Sequence, residues 1–322
     1  MKQQYKGKTI VVLGDSITEQ GKQFYYLRSY FQNSKDKCYL YNRGTCGNRA
    51  VMFPSLFDDE IKELNADYVM ISYGVNDLGV WLYDNLKPVT KEILEKRKVR
   101  DEEYFASYYK AIKLVKEYGA IPIVVSPFAV NECLIEKENV ETLNDNDEKE
   151  DNIKPSFYTR ATFKNINVAL KGYQERLEAI AKETGAEYLP MFEKTYPEML
   201  KETNMFSDDG VHYNLEVGHK FLAKVILEFL GVEDIPQDFI ITPENDEIER
   251  LEQIERQAGG ILRGTPYSKF FGNYSEEYLV NIAKKTVSEQ TGWAADRAKL
   301  YIEHHHELST IRTKVRELTE KL

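Results

Sequence analysis

Four short stretches carry residues whose types and spacing suit acyl transfer. The first is Ile10-Val11-Val12-Leu13-Gly14-Asp15-Ser16, an apolar run into a glycine turn that sets a serine hydroxyl at the end of a strand. The second, Asn42-Arg43-Gly44-Thr45-Cys46-Gly47-Asn48, offers at Gly44 a backbone N–H unobstructed by a side chain. Gly74-Val75-Asn76-Asp77 offers the Asn76 amide, and two such donors are what a developing oxyanion needs. The fourth is Ser207-Asp208-Asp209-Gly210-Val211-His212. Its D-x-x-H spacing lets one turn bring Asp209 to His212 Nδ1 and leaves Nε2 for a serine hydroxyl, with Asp208 the alternative carboxylate.

Each stretch alone is also what an ordinary turn looks like, because Gly, Asp, Asn and Ser favour turns. Two other chemistries fail on spacing. Six residues separate Gly14 from Gly21, and Gln23 follows Lys22, so the phosphate-cradling G-x-x-x-x-G-K-[ST] loop is not formed. The G-x-S-x-G elbow of the α/β-hydrolases does not occur in the chain. Of the five histidines, His219 falls in a helical stretch and His304, His305 and His306 fall in the tail, which leaves His212 in a loop.

In their order and types the four blocks resemble those of the SGNH (GDSL-type) hydrolase family, over roughly residues 7–231. The resemblance implies a three-layer α/β/α fold with a flavodoxin-like parallel sheet, and a serine esterase that uses neither a metal nor an organic cofactor. It makes Ser16 the nucleophile, His212 the base and then the acid, and Asp209 the residue that orients it. The Ser16 N–H, the Gly44 N–H and the Asn76 side chain become the oxyanion hole. Cys46 departs from the serine that members often carry in the second block.

The elements that must position these blocks alternate along the chain, as an α/β domain requires. Strands are expected at Thr9–Leu13, Cys38–Tyr41, Tyr68–Ser72, Ile121–Ser126 and Glu187–Leu189. Helices are expected at Gln23–Phe31, Leu56–Leu64, Glu102–Tyr118, Phe163–Thr184 and Leu215–Leu230, the last after an Asn214 N-cap and ended by Gly231. The hydrolase domain is expected over residues 1–234, with an acidic insertion at about 132–155 that forms a surface loop or a lid.

Residues 235–322 are expected to be a helical extension, an oligomerisation or lid element. One apolar stripe runs through Ile248, Leu251, Ile254, Ala258 and Ile261, and a heptad seam through Tyr301, His304, Leu308, Ile311, Val315, Leu318 and Leu322. The seam predicts either a homo-oligomer or packing back on the first stripe. Adjacent histidines on a helix point about 100° apart, so His304–His306 do not form one metal site.

Composition excludes several classes. With 43 Lys and Arg against 53 Asp and Glu, the formal net charge of -10 is opposite to a nucleic-acid footprint. Three dispersed cysteines make no disulfide framework, no apolar run is long enough for stable membrane insertion, and a cytoplasmic location is expected. Trp81 and Tyr83, just after the third block, are candidate rings for stacking on a sugar, so the expected substrate is an acyl ester, acetyl on a carbohydrate. A broader short-chain esterase, thioesterase or lysophospholipase is the alternative, and a non-catalytic scaffold acting through the tail is the reading from another class.

Overall fold

The computed structural model describes residues 1–83, 89–132, 165–201, 204–263 and 275–321. Beyond Glu132 the expected acidic insertion lies outside the described residues, as do Cys133, Phe163 and Leu322. Five strands, β1 (Thr9–Gly14), β2 (Tyr39–Asn42), β3 (Tyr68–Ser72), β4 (Ile121–Val125) and β5 (Glu187–Leu189), form one sheet. Its order is β2-β1-β3-β4-β5 and every pairing is parallel. The order reverses at β1, so the crevice at the carboxyl ends of β1 and β3 is where such a sheet binds ligands. Ile10, Val11, Leu13, Val69, Ile71, Ile123 and Val124 are buried on both faces, as a sheet covered by two helical layers demands.

The layers are α1 (Ser16–Gln20), α2 (Lys22–Asn33), α3 (Phe53–Glu60), α4 (Val75–Leu78), α5 (Lys91–Tyr118), α6 (Ile166–Thr184), α7 (Met191–Leu200) and α8 (Val217–Phe229). The N-cap of α8 is Glu216 and makes no side-chain cap; the expected Asn214 stands two residues earlier, where its Oδ1 accepts from the N–H groups of Glu216 and Val217 at 2.9 and 3.0 Å. Helix α5 starts eleven residues before its expected Glu102. Its first turns are mostly exposed and charged, with no apolar stripe to betray them, and Thr90 caps them by accepting from the Ile93 N–H at 3.2 Å. Helix α7 was not expected, and it tolerates Pro197 within it.

The C-terminal region is helical: α9 (Pro243–Arg263), α10 (Glu276–Glu289), α11 (Trp293–His304) and α12 (Leu308–Lys321). The heptad seam packs within the chain, Ile311 and Val315 of α12 against Ile248 and Leu251 of α9. The adjoining side of α9 carries buried charge onto the sheet domain. Arg28 of α2 binds Glu249 at 2.6 Å and Glu252 at 2.8 Å, and Arg43 after β2 lies 3.4 Å from Glu60 and also pairs with Glu255. Arg312 of α12 closes the network on Glu255 at 2.8 Å and on Glu60 and Glu63. Burial alone would raise the Glu252 carboxyl, but Arg28, Arg256 and Arg43 together hold it below its ordinary value. Among the described residues no helix is long and apolar enough to cross a membrane.

Candidate active site

Strand β1 delivers Ser16 by ending in a turn that only glycine fits: a Cβ on Gly14 would stand 2.1 Å from Thr18 Oγ1 and 2.6 Å from the Ser72 carbonyl oxygen. Asp15 then caps α1 by accepting from the Ile17 N–H at 3.0 Å, which starts the helix at Ser16 itself. Burial raises the Asp15 carboxyl to about 6.

From the other end of the sequence, Gly210 at φ +71 turns the chain between Asp209 and His212. Asp209 Oδ1 accepts from the N–H groups of Val211 and His212, each at 2.9 Å, which fixes the carboxylate before it meets the ring. Oδ2 then lies 2.5 Å from His212 Nδ1, and His212 Nε2 lies 2.7 Å from Ser16 Oγ. Asp208 is exposed and Asp209 half-buried, so the turn separates the two carboxylates that the sequence left in competition. Burial alone would lower the His212 pKa, but the hydrogen bond and charge of Asp209, with Asp15 and Glu19 behind them, raise it. Burial likewise acts to raise Asp209, and His212 more than offsets it, holding the carboxyl below its ordinary value.

The β2 loop meets α1 and α4 here. Asn76 Nδ2 donates to the Asn48 carbonyl at 3.1 Å, and Arg100 of α5 holds the turn behind it, donating to the carbonyls of Asp77 at 2.7 Å and Asn76. Asp77 accepts from the Ala50 N–H at 2.9 Å, and burial drives its carboxyl to about 8. Asn42 ties the loop to α1, donating to the Thr18 carbonyl at 2.7 Å.

The expectation that Gly44 presents an unobstructed N–H is not met. That group donates to Asn42 Oδ1 at 2.9 Å, and a Cβ on Gly44 would stand 2.4 Å from the Glu19 nitrogen, so this glycine serves close packing on α1. Gly47, at φ +78, is exposed with nothing within 4 Å of where a Cβ would be, and no hydrogen bond among the described residues engages its N–H. It lies beside Asn48, whose carbonyl holds Asn76.

Tyr83 is not a ring presented at a site edge. It is 7% exposed and covered by the Arg97 guanidinium, 3.9 Å from the ring centroid. The Trp81 side chain lies outside the described residues. His219 is buried between Gln23 and Gln20, and desolvation lowers it to about 3, so it is a neutral packing histidine. Burial pushes the Cys46 thiol up to about 11, which leaves it a poor nucleophile at neutral pH. Among the described residues no group of His, Cys, Asp and Glu could hold a metal ion.

Residues 12–220 match the GDSL-like lipase/acylhydrolase family. The chain belongs to that family. Membership makes it a carboxylic ester hydrolase. No curated protein sequence matches it. Among solved structures it is similar to BT4096, described as a gut microbial diltiazem-metabolizing enzyme, with a TM-score of 0.70, 16% identity and coverage of 99% of this chain and 97% of that one. It is similar also to Axe2, an acetylxylan esterase from Geobacillus stearothermophilus, with a TM-score of 0.51, 21% identity and coverage of 72% of this chain and 98% of that one. The GDSL hydrolase shares its whole length, C-terminal helices included, with the first structure and only part of it with the second.

Proposed function

We propose that this enzyme hydrolyses a short acyl ester, acetyl on a carbohydrate, through a Ser16–His212–Asp209 triad and an acyl-enzyme. What carries the reading is the unbroken hydrogen-bonded chain from Asp209 through His212 to Ser16 Oγ. Ser16 Oγ attacks the ester carbonyl carbon as its proton passes to His212 Nε2, and the resulting imidazolium is held by Asp209. Collapse breaks the bond to the alcohol oxygen, which leaves with that proton. Water then gives a proton to His212 as it attacks the acyl carbon, and Ser16 recovers its proton as it departs. The oxyanion is received by the Ser16 N–H, the Asn76 amide and, in place of Gly44, the Gly47 N–H.

The name of Axe2 supports an acetylated carbohydrate, and its solved catalytic variants replace a serine, an aspartate and a histidine, the last two three positions apart as Asp209 and His212 are. The name of BT4096 supports the alternative, a broader esterase acting on small synthetic molecules. A cytoplasmic location is part of the proposal, on the acidic charge and the three dispersed cysteines, of which Cys38 and Cys46 are free. Hydrolysis of p-nitrophenyl esters from acetyl to long acyl chains, by wild type and Ser16→Ala, tests it. Ser16-dependent turnover that falls steeply with chain length is expected; a long-chain preference overturns the acetyl assignment, and undiminished turnover by Ser16→Ala overturns the mechanism.

A further inference from the structure

Glu19 sits one turn after Ser16 on α1 and is only 6% exposed. Its Oε2 accepts from the Cys46 N–H at 3.0 Å, and the same oxygen binds Arg297 Nη2 of α11 at 2.5 Å. Two regions 278 residues apart in sequence thus meet on one carboxylate beside the nucleophile. We propose that Arg297 is a positioning residue for ester hydrolysis: through Glu19 it fixes the Cys46–Gly47 segment that carries a backbone donor for the oxyanion. The inference rests on the reaction proposed above.

The physical requirement begins with Gly47. Its positive φ and empty surroundings mean that no side chain of its own and no packed neighbour sets the direction of its N–H. The residues on either side must do so. Asn48 N–H bonds to the Thr45 carbonyl at 3.1 Å and Thr45 N–H to the Gly14 carbonyl at 3.0 Å, while Cys46 is held by Glu19. Glu19 holds it from a buried carboxylate, and a carboxylate taken out of water needs a cation beside it. Oε1 of Glu19 is buried with no hydrogen-bond partner, so the compensation falls on the Oε2 side, where Arg297, with its side chain 13% exposed, provides it. Without that cation the carboxylate is left buried and uncompensated, and turning toward water to be solvated releases Cys46. The negative charge of Glu19 also reaches His212 and Asp15.

The test uses the full chain and p-nitrophenyl acetate. Arg297→Gln is expected to lower kcat about 10- to 100-fold with KM within about 3-fold, since a displacement near 1 Å costs on this scale. Adding Glu19→Gln is expected to recover most of that loss, because a neutral amide oxygen accepts the Cys46 N–H without a cation. A merely structural contact would not give that recovery. Wild-type kcat in Arg297→Gln overturns the proposal, as does a loss that the double variant fails to recover at native Tm. Should Arg297→Gln melt about 10 °C early, the double variant alone decides on the same criterion. Failure of the triad reading is separate, because it appears as undiminished turnover in Ser16→Ala.

Discussion

The active site and the seam between α9 and the sheet domain both place carboxylates against cationic partners, yet they do so on opposite terms. Asp209 and His212 are half-buried, and the imidazole, its pKa raised by Asp209, can gain and lose a proton. Arg28, Arg43, Glu252 and Glu255 are buried, and guanidinium groups do not deprotonate there. Charge kept for chemistry is left within reach of water and of a proton. Charge kept for docking is enclosed, where a pair adds little net stability but a broken pair is costly.

Variants should therefore split by region. At the site, Ser16→Ala is expected to reduce kcat about 10⁶-fold and Asp209→Asn about 10⁴-fold, with Tm near wild type, read by steady-state rates and thermal melts. The sign of the pH effect follows from the raised His212 pKa: the base must be neutral, so kcat/KM falls as pH drops through a midpoint above the free imidazole value. The residual activity of Asp209→Asn should show that acid limb moved to lower pH. Asn76→Ala is expected to cost about 10²- to 10³-fold in kcat, again without unfolding.

In the seam, Arg28→Ala is expected to destabilise by about 3–5 kcal/mol, measured by urea melts, while kcat per folded molecule stays within about twofold. A large kcat loss at native stability would erase the distinction between the two regions. The smallest expected effect is at Cys46, whose thiol should resist iodoacetamide at pH 7, because burial holds it protonated. Rapid inactivation that tracks modification would reverse that reading.

What was legible in the sequence follows from how local each feature is. Ser16 at a strand end and Asp209-x-x-His212 in one turn are short-range patterns, and the structure joins them as the spacing requires. The sheet was legible because its strands are continuous apolar runs. Gly44 misled because two glycines share one loop, and which N–H faces outward depends on the Asn42 side chain folding over it. Gly47 was open to discovery as the glycine next to Asn48. Tyr83 misled for a related reason: Arg97, which covers it, belongs to the charged turns of α5 that no apolar period announces. The cation that pairs with Glu19 and the carboxylates that pair with Arg28 were illegible, since each lies more than 200 residues away and nothing local marks a charged helix face as buried.

Strand β2 is an outer strand of the sheet, and the N–H groups of Tyr39 at its start and of Arg43 just after it turn inward to β1 and the residue before it. The outward Asn42 N–H is taken by Glu252 of α9 at 3.2 Å. A helix thus occupies a backbone donor that another polypeptide could otherwise pair with by adding a strand. Shortening the protein before α9 would bare that rim, and the expected fate of the remaining sheet is self-association into aggregates, which makes the last quarter of the chain a guard on solubility as well as a neighbour of the site.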